Sequence, residues 1–476
     1  MMKKINNAQA IHDKTMELLG TVGIRFLHPE AVKLLKSHGV KMDGQIAYFT
    51  EEEIMKCVEM VPSQVHIYAR DPRFDIELGS GRTYIGPMMG GIRILEADGT
   101  FHPAAVEDMI KADKIVEYND RYHINGGLIC TPGEIPAEHL MVFQMYSGLM
   151  LSSKIPPDVC GDYKTMEKCY DILAASFGIS KEELREKPRM LAGMNVDSPL
   201  FVDTNMTETL FTNLKYRQPC YLAPAAMAGS TAPITTAGTI VQNNAEVLGA
   251  LALAQMYEPG APVLYGSQST SSDMKTLSIA TGSPEASLCY RYAGVMGAFY
   301  HIPVRAGGLM TDAKKLDVQA GYEPMLSFMA CEQNGVDVVL QGAGFLDAYL
   351  TLSYEKLVSD FQVVDYVDVY LNDIEIDEES VPLEDMKEAG PSGSFVMAES
   401  TLSQYRTAIL DPIISVRGAN PQDALEQNTA KYIKKALEAY RAPEISAECK
   451  EHMRKILLDC GVDEKHIRKV EEARGE

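Results

Sequence analysis

The chain lacks three features that would place it in familiar classes of protein. No stretch reaches about 18 consecutive apolar residues, which excludes a transmembrane helix. No basic stripe offsets the net charge of −22 over 476 residues, so binding to nucleic acid or to an anionic membrane is not expected. Tryptophan is absent, so aromatic contacts with a ligand must come from tyrosine and phenylalanine.

Several motifs of known chemistry are also missing. The nine cysteines form no CxxC pair and no His/Cys cluster has zinc-ligand spacing, so we expect buried, reduced thiols and no metal. There is no GxSxG, P-loop or HExxH motif, and no GxGxxG follows a predicted strand. These absences exclude the corresponding hydrolase, nucleotide and metalloprotease sites. A polar amphipathic helix near the start, in place of an apolar signal core, predicts a cytoplasmic protein.

Eight short apolar segments are present, and each is followed by a Gly-, Ser- or Asn-rich turn and a helical stretch. They span Thr83–Gly86, Tyr122–Asn125, Ile155–Val159, Met190–Gly193, Cys220–Ala223, Pro262–Tyr265, Pro303–Ala306 and Val336–Leu340. Their starts recur roughly every 30 to 40 residues, which predicts an α/β fold of the (β/α)8 TIM-barrel type. In such barrels the active site lies in loops at the carboxyl ends of the strands.

Composition divides the chain into three predicted parts. Residues 1–81 form an N-terminal helical and β cap, in which Thr50 and Glu53 make a capping box and Val65–Tyr68 reads as a strand. Residues 82–373 hold the barrel. Residues 374–476 combine an acidic, solvated connector with a charged C-terminal helical extension.

The loops after the fifth and sixth predicted strands are rich in small and polar residues. Gly229, Ser230 and Thr231 follow the fifth strand and allow a bulky ligand to approach the backbone. Ser267 and Gln268 follow the sixth strand and suit a polar ligand. A tight turn and an ordinary solvated loop are the competing interpretations.

Two charged or titratable residues lie in the barrel strands themselves. Arg305 is at the carboxyl end of the seventh strand, where it either binds an anionic group or pairs with a carboxylate such as Asp312 or Glu285. His123 lies in the second strand and serves either as a structural group or in catalysis.

The loop after the eighth strand combines an amide, two glycines and two rings. Gly342 and Gly344 leave room beside Gln341. Phe345 and Tyr349 supply ring faces, for ligand contact or for packing. This loop is therefore a candidate for the wall of a binding pocket.

The barrel region contains a series of specific strings. In chain order they are Ala225–Thr239, Asn244–Glu246, Pro259–Gly266, Thr281–Glu285, Ile302–Arg305, Thr311–Lys314, Gln319–Glu323 and Ser353–Leu357. Together they resemble the trimethylamine methyltransferase superfamily, and the resemblance covers roughly residues 5–460.

The resemblance implies a (β/α)8 barrel that transfers a methyl group to a cobalamin carried by a separate corrinoid protein. From the composition of the strand-end loops we expect the corrinoid to be faced by Gly229, Ser230, Thr231, Ser267, Gln268, Gly342 and Gly344. The founding members contain pyrrolysine and this sequence has none, which favours quaternary amines such as glycine betaine, proline betaine, carnitine or γ-butyrobetaine. Ser394 and Ser400 stand where the family has histidines, so no role of those imidazoles is transferred. We also expect a homo-oligomer.

The chemistry of a quaternary amine supports this interpretation independently. Such a substrate leaves as a neutral tertiary amine, so the protein needs no general acid or base and must instead position the methyl group and exclude water. The ammonium head has no N–H donor, so aromatic faces or carboxylates must hold it. The candidate rings are Phe345, Tyr349 and Tyr265, with Tyr221 and Tyr122 as alternatives that the barrel core would also accommodate. A substrate carboxylate would be bound by Arg305, Arg93 or Gln341.

Two other functions remain as alternatives. A barrel lyase or aldolase would use Lys314 or Lys315 as a Schiff-base nucleophile, although both lysines are expected to face solvent. A non-catalytic barrel would only bind a small molecule. Conversion of cob(I)alamin to methylcobalamin separates a methyltransferase from both.

Overall fold

A computed structural model describes residues 2–418, 420 and 424–475, with side chains described from residue 7 onward. The N-terminal part alternates helices with short strands. Its elements are α1 (Met2–Thr21), β1 (Ile24–Phe26), α2 (Pro29–Ser37), β2 (Lys41–Asp43), β3 (Ile46–Tyr48), α3 (Glu51–Val58), β4 (Val65–Ile67), a 3-10 turn (Pro72–Phe74) and β5 (Ile76–Leu78).

Local sequence explains where the N-terminal helices begin. The His28 ring accepts a hydrogen bond from the Glu30 N–H and Pro29 occupies the first turn of α2. Before α3, the Thr50 hydroxyl accepts from the Glu53 N–H at 3.3 Å, while the Glu53 carboxylate accepts from the Thr50 N–H at 2.8 Å. The predicted capping box is confirmed.

The central part holds most of the strands and the longest helices. It contains β6 (Tyr84–Ile85), β7 (Arg93–Leu95), β8 (Phe101–Pro103), α4 (Val106–Glu117), α5 (Ala137–Leu151), α6 (Tyr163–Phe177), α7 (Glu183–Glu186), β9 (Ala192–Val196), β10 (Phe201–Val202), α8 (Thr204–Lys215), β11 (Cys220–Pro224), β12 (Met227–Ala228), α9 (Thr236–Tyr257), β13 (Val263–Ser267), β14 (Thr270–Ser272), β15 (Ile279–Ala280), α10 (Pro284–Tyr300), β16 (Val304–Gly307), α11 (Gln319–Glu332), β17 (Val338–Leu340), β18 (Phe345–Leu346), β19 (Thr351–Ser353) and α12 (Tyr354–Leu371).

Six of these strands form one parallel sheet, so the observed fold is α/β. The strand order is β6, β17, β16, β13, β11, β9, and neighbours pair in parallel. These strands overlap six of the eight predicted segments, with small shifts at their ends. The second and third predicted segments form only isolated parallel bridges, from Ile85 to Tyr122 and from Ile124 to Ile155.

The parallel sheet and its helices enclose two large apolar clusters. One contains sheet residues such as Leu191, Leu264 and Val338, all buried. The other contains the residues that the surrounding helices bury against the sheet. Helix α9 carries a stripe of small residues, and a Cβ at Gly249 would lie 2.9 Å from Ile24, so the N-terminal part packs closely on this helix.

The C-terminal part is helical. Its elements are α13 (Leu383–Ala389), α14 (Glu399–Gln404), α15 (Leu425–Ala439), α16 (Ala447–Asp459) and α17 (Glu464–Ala473). No residue of α13 is buried, in keeping with the predicted solvated connector. The Ser400 N–H donates to the Asp385 carboxylate at 2.9 Å, and Ser394 is exposed.

Two expectations from composition can be compared with the structure. All nine cysteines are free, and six of them are buried. Within the described part of the chain, no helix combines the length and hydropathy needed to cross a membrane. The proposed division at residues 81 and 373 stays a prediction.

Candidate functional site

A cavity of about 580 Å³ opens where β9, β11, β13, β16 and β17 end. Side chains from these strands and from the loops after them form its wall. The lining residues are Met89, Gly90, Leu128, Thr131, Met141, Gln144, Asp158, Cys160, Asn195, Val196, Asp197, Ser198, Tyr221, Ala225, Met227, Thr231, Gln268, Ile279, Arg305, Gln341 and Tyr349. The cavity therefore lies at the carboxyl edge of the parallel sheet, where ligands of α/β proteins usually bind.

Five residues predicted for the site line this cavity. They are Thr231, Gln268, Arg305, Gln341 and Tyr349. They come from three loops and one strand, β16, and the first and last of them, Thr231 and Tyr349, are more than a hundred positions apart in the chain. The parallel sheet brings them together.

Two of the predicted rings lie outside the cavity wall. Phe345 is fully buried, and its ring meets the Tyr349 ring edge-on at 4.7 Å between centroids. Tyr265 is buried against Tyr300, and its hydroxyl accepts a hydrogen bond from Asn243 at 3.4 Å. Phe345 thus supports Tyr349 from behind, while Tyr265 belongs to the core.

Of the seven residues expected to face a corrinoid, Thr231 and Gln268 line the cavity and the other five do not. Ser230 is exposed and Gly229 is half-buried in the turn beside Thr231. Ser267 is buried, and its hydroxyl accepts from the Ser269 N–H at 3.3 Å.

Gly342 and Gly344 are also buried, because the loop after β17 packs closely on its neighbours. A Cβ at Gly342 would overlap Ile85, and one at Gly344 would lie 2.7 Å from Leu357. Close packing within the protein therefore explains why both positions are glycine.

Arg305 is the most informative residue of the cavity. It is 3% exposed, and Nη1 donates to Oε1 of Gln268 at 2.5 Å. Its guanidinium carbon lies 4.7 Å from the centre of the Tyr221 ring. Nε has no hydrogen-bond partner among the described residues. An unpartnered, buried N–H donor is costly, so a ligand acceptor at this position would be stabilising.

The two carboxylates suggested as structural partners of Arg305 are engaged elsewhere or exposed. Asp312 accepts hydrogen bonds from the Thr281 N–H at 2.8 Å and the Gly282 N–H at 3.0 Å. Glu285 is exposed in the first turn of α10. The cavity therefore contains a guanidinium whose described partners are a neutral amide and a ring.

Asp158 and Tyr221 continue this polar arrangement next to Arg305. The Tyr221 hydroxyl donates to the Asp158 carboxylate at 2.7 Å. The ring reaches Asp158 across β9 because residue 193 is glycine, and a Cβ there would overlap the ring. Burial raises the pKa of Asp158, against the opposing effects of the Tyr221 hydrogen bond and the Arg305 charge.

Replacing Gly193 with alanine should therefore disrupt the cavity. The new methyl group would displace the Tyr221 ring and break its hydrogen bond to Asp158. We expect Gly193→Ala to lower kcat/KM about tenfold or more and the free energy of unfolding by about 1–3 kcal/mol. Gly321→Ala in α11 is the matched control, since no atom lies within 4 Å of its Cβ position. Unchanged kinetics in Gly193→Ala would contradict the assigned position of the ring.

The acidic residues of the cavity were not predicted from the sequence. Asp158, Asp197 and Asn195 line it, and burial together with the neighbouring Asp203 raises the pKa of Asp197. A signal was available, because Asp158 lies near the carboxyl end of the third predicted strand. The lining of the cavity consequently combines a positive group with carboxyl groups.

Gln341 and Tyr349 are held by left-handed backbone at the loop after β17. Their φ angles are +64° and +78°. The Gln341 side-chain oxygen accepts from the Met89 N–H at 2.9 Å, so its amide nitrogen is the end available to a ligand. Tyr349 rests on Phe345 and presents its ring to the cavity.

The remaining candidates from the sequence lie elsewhere. His123 packs edge-on against Phe74 and Tyr84, and burial lowers its pKa to about 4. Arg93 is paired with Asp347. Neither side chain lines the cavity.

The two lysines proposed as Schiff-base nucleophiles lie outside this cavity. Lys314 and Lys315 are exposed, and Lys314 is paired with Asp347. Among the described residues that line the cavity there is no lysine. A Schiff-base lyase therefore lacks its nucleophile.

Tyr122 is likewise part of the core. Its hydroxyl donates to the Gly342 carbonyl at 2.7 Å, and its ring lies 4.8 Å from that of Phe361.

The fold and the cavity define an α/β protein with a small-molecule site at the carboxyl ends of its parallel strands. The chain belongs to the trimethylamine methyltransferase (MTTB) family, whose model matches residues 2–458.

Two relatives illustrate this membership, and one solved structure is also similar to the chain. The glycine betaine methyltransferase of Desulfitobacterium hafniense (strain Y51) is 32% identical over 428 residues, covering 90% of this chain and 89% of the relative. The proline betaine:corrinoid methyltransferase of Eubacterium limosum is 27% identical over 474 residues, covering 95% and 96%. The crystal structure of the Methanosarcina barkeri monomethylamine methyltransferase, MtmB, matches with a TM-score of 0.49 and 11% identity, covering 94% of this chain and 97% of MtmB.

Proposed function

We propose that the chain is a corrinoid-dependent methyltransferase that demethylates a betaine-type quaternary amine. Glycine betaine, proline betaine, carnitine and γ-butyrobetaine are the substrates considered. Family membership supports methyl transfer, and the names of the two relatives support a betaine as donor and a corrinoid protein as partner.

The observation that carries the proposal is the charge arrangement of the cavity. Arg305 contributes a buried guanidinium to the lining, while Asp158 and Asp197 contribute carboxyl groups. A zwitterion with a carboxylate and a quaternary ammonium matches both kinds of group at once. A simple methylamine would leave the Arg305 donor without an acceptor.

The side chains of the cavity have three tasks in this reaction. Arg305 and the amide nitrogen of Gln341 bind the substrate carboxylate and fix its orientation. The Tyr349 ring and the Asp158 carboxylate hold the ammonium head. The apolar wall of Met89, Met141 and Met227 excludes water from the methyl group.

The reaction needs no proton from the protein. The corrinoid, when its carrier protein is docked, supplies a reduced cobalt nucleophile that accepts the methyl group. The nitrogen keeps the electron pair of the broken bond and leaves as a neutral tertiary amine. The packed, neutral His123 is consistent with this absence of acid–base catalysis.

The mouth of the cavity suits a bulky partner. Thr231 and Gln268 line the cavity, and the turn at Gly229 and Ser230 next to Thr231 is accessible. Ile234 beside this turn is 62% exposed. We therefore place the corrinoid protein at this edge of the sheet. The expected homo-oligomer stays a prediction.

We also propose that the eight segments close into a (β/α)8 barrel. The isolated bridges at Tyr122 and Ile155 support a continuation of the parallel sheet beyond β6. The Leu191 N–H donates to the Pro156 carbonyl at 3.3 Å, which supports a link between the third and fourth segments.

A panel of quaternary amines with chemically reduced cob(I)alamin tests the proposed function. The purified protein should convert cob(I)alamin to methylcobalamin with at least one betaine, as followed by absorbance, and trimethylamine should be inert. Robust turnover of trimethylamine, or no turnover of any betaine, would overturn the proposal.

Tyr349 should contribute to binding of the ammonium head through its ring face. Replacing the ring with leucine keeps much of the volume but removes the negative face, which costs about 0.5–2 kcal/mol of binding. We expect Tyr349→Leu to raise KM about 2- to 30-fold at similar kcat. Phe345→Leu on the same loop is the control, because Phe345 lies behind Tyr349. If both variants keep wild-type KM, the ammonium is held elsewhere.

Asp158 should make binding of the ammonium depend on pH. Its carboxyl is neutral below its raised pKa, and the neutral form no longer attracts a cation. With a quaternary amine that lacks a carboxylate, KM should therefore rise as the pH falls through that pKa. Asp158→Asn should show a high KM without this acidic limb. The same acidic limb in Asp158→Asn would assign the titration to another group.

A further inference from the structure

The side chain of Gln268 joins two residues to which the proposed function gives different ends of the substrate. Its oxygen Oε1 accepts the hydrogen bond from Nη1 of Arg305 at 2.5 Å. Its amide also faces Tyr349, because burial raises the pKa of Tyr349 against the Arg305 charge and a hydrogen bond with the Gln268 side chain. All three residues line the cavity. One amide group therefore connects the residue assigned to the substrate carboxylate with the ring assigned to the ammonium head.

The orientation of the Gln268 amide follows from the chemistry of its partners. A guanidinium only donates hydrogen bonds, so the end of the amide that faces Nη1 of Arg305 must be the oxygen. The amide nitrogen then faces the Met310 sulfur, which lies 3.0 Å away. The Tyr290 hydroxyl donates to the same sulfur at 3.2 Å, so the methionine is held from two directions. These contacts keep the oxygen of Gln268 on the arginine.

The parallel sheet determines where Gln268 lies. Its backbone N–H donates to the Pro224 carbonyl at the end of β11, at 2.8 Å. Its side chain packs against Gly307 of β16, where a Cβ would come within 2.5 Å of the amide nitrogen. Gly307 is two residues after Arg305, so both positions lie on the same face of β16. The missing side chain at Gly307 therefore leaves the room in which the amide reaches Arg305.

A neutral partner preserves the positive charge of Arg305 for a ligand. A glutamate at residue 268 would form a charge-assisted pair with the guanidinium and compete with a substrate carboxylate for it. Glutamine holds the guanidinium through one hydrogen bond and adds no charge. The nearby Asp158 carboxyl already accepts the Tyr221 hydroxyl at 2.7 Å, and burial raises its pKa. The choice between amide and carboxylate at residue 268 therefore affects whether the cavity favours a zwitterion or a simple cation.

We propose that Gln268 is a positioning residue that determines specificity for quaternary amines with a carboxylate. It holds Arg305 in place without neutralising it, and the guanidinium then binds the carboxylate of the betaine. Gln268 acts through Arg305 and is assigned no contact with the substrate. This inference rests on the proposed function, because it concerns how the same cavity selects its substrate.

Exchange of the amide for a carboxylate tests the proposal. A glutamate beside a guanidinium stays ionised, so Gln268→Glu should neutralise Arg305 in place. We expect the Kd for betaines, measured by calorimetry without cob(I)alamin, to rise about 10- to 100-fold. Choline has no carboxylate and no longer meets an uncompensated positive charge, so it should bind at least as tightly as to the wild-type protein. The ratio of the two Kd values is the deciding readout, since a merely structural role would not change it.

A second variant and a matched control complete the comparison. Gln268→Met keeps a similar length but accepts no strong hydrogen bond from Arg305, so the Kd for betaines should rise about 3- to 10-fold. This variant also tests the proposal if Gln268→Glu does not fold. Gln45→Glu is the control, because Gln45 accepts hydrogen bonds from Nε and Nη2 of Arg25 at 3.1 and 2.9 Å but lies outside the cavity lining. It should keep the wild-type Kd for both ligands.

Measuring binding without methyl transfer separates this proposal from the proposed function. Wild-type affinity for betaines in folded Gln268→Glu and Gln268→Met would overturn the role of Gln268, whatever the turnover of the wild-type protein. Equal losses of affinity for betaine and choline would assign Gln268 to the scaffold and overturn it as well. A wild-type protein that binds betaines but transfers no methyl group would overturn the proposed function and leave the comparison of Kd values intact. No binding of any betaine would overturn both.

Discussion

Arg305→Lys should raise KM for a betaine about 10- to 100-fold while leaving the melting temperature almost unchanged. The guanidinium can donate two parallel hydrogen bonds to a substrate carboxylate, whereas an ammonium group cannot reproduce this geometry. A hydrogen bond to a charged group contributes about 1.5–3 kcal/mol, which sets the size of the effect. The variant keeps the positive charge near Tyr221 and Asp158, so the fold should be retained.

Two comparisons make this prediction specific. The increase in KM should be much smaller for a quaternary amine without a carboxylate, such as choline. Arg93→Lys is the matched control, because Arg93 is paired with Asp347 and does not line the cavity. Equal losses on both types of substrate, or an unfolded Arg305→Lys protein, would assign Arg305 to the scaffold.

Lys356→Met should produce the largest loss of stability, about 3–5 kcal/mol in chemical denaturation. Lys356 and Asp360 form an ion pair within α12, and both side chains are fully buried. Removing the lysine leaves an uncompensated buried carboxylate. Asp360 also accepts from the Gly344 N–H at 2.9 Å, so the loop that carries Tyr349 should loosen as well.

The pH dependence of this variant follows from Asp360. Burial raises the pKa of Asp360 to about 6, and loss of Lys356 should raise it further. Because the folded pKa is then above the unfolded value, the penalty is smallest at low pH and grows as the pH rises through the folded pKa. The double variant Lys356→Met/Asp360→Asn should recover part of the stability and lose this dependence. A pH-independent loss in Lys356→Met would contradict the buried pair.

The sequence predicted the α/β class and most of the sheet, because buried parallel strands appear as short apolar runs with regular spacing. Six of the eight predicted segments lie in one parallel sheet. Tyr122 and Ile155 make only isolated bridges, and Pro156, next to Ile155, has no N–H to donate to a neighbouring strand. Apolar composition locates such segments but not their hydrogen bonds.

Part of the site was also predicted, because the positions of residues relative to the strand ends can be read from the sequence. Arg305, Gln341 and Tyr349 were found because they lie at the carboxyl ends of predicted strands or in the loop that follows, and these loops converge. Tyr265 has the same placement along the chain, yet it points into the core toward Tyr300. Strand position alone does not determine on which side of the sheet a side chain lies when both sides are buried.

Asp158 illustrates what the sequence could not provide. Its role depends on the Tyr221 hydroxyl, and that contact depends on the missing side chain of Gly193 on the strand between them. Such a three-residue arrangement is visible only once neighbouring strands are paired. The acidic residues of the cavity were therefore missed, although the arginine was predicted.

Transfer of a labelled methyl group is the most direct measurement of the central claim. Glycine betaine, proline betaine, carnitine, γ-butyrobetaine and trimethylamine, each carrying deuterated N-methyl groups, would be incubated separately with the protein and cob(I)alamin. The cobalamin would then be analysed by mass spectrometry. We expect at least one betaine to give methylcobalamin that carries the label, together with the corresponding tertiary amine. Unlabelled cobalamin with all four betaines, or label transferred only from trimethylamine, would contradict a betaine:corrinoid methyltransferase.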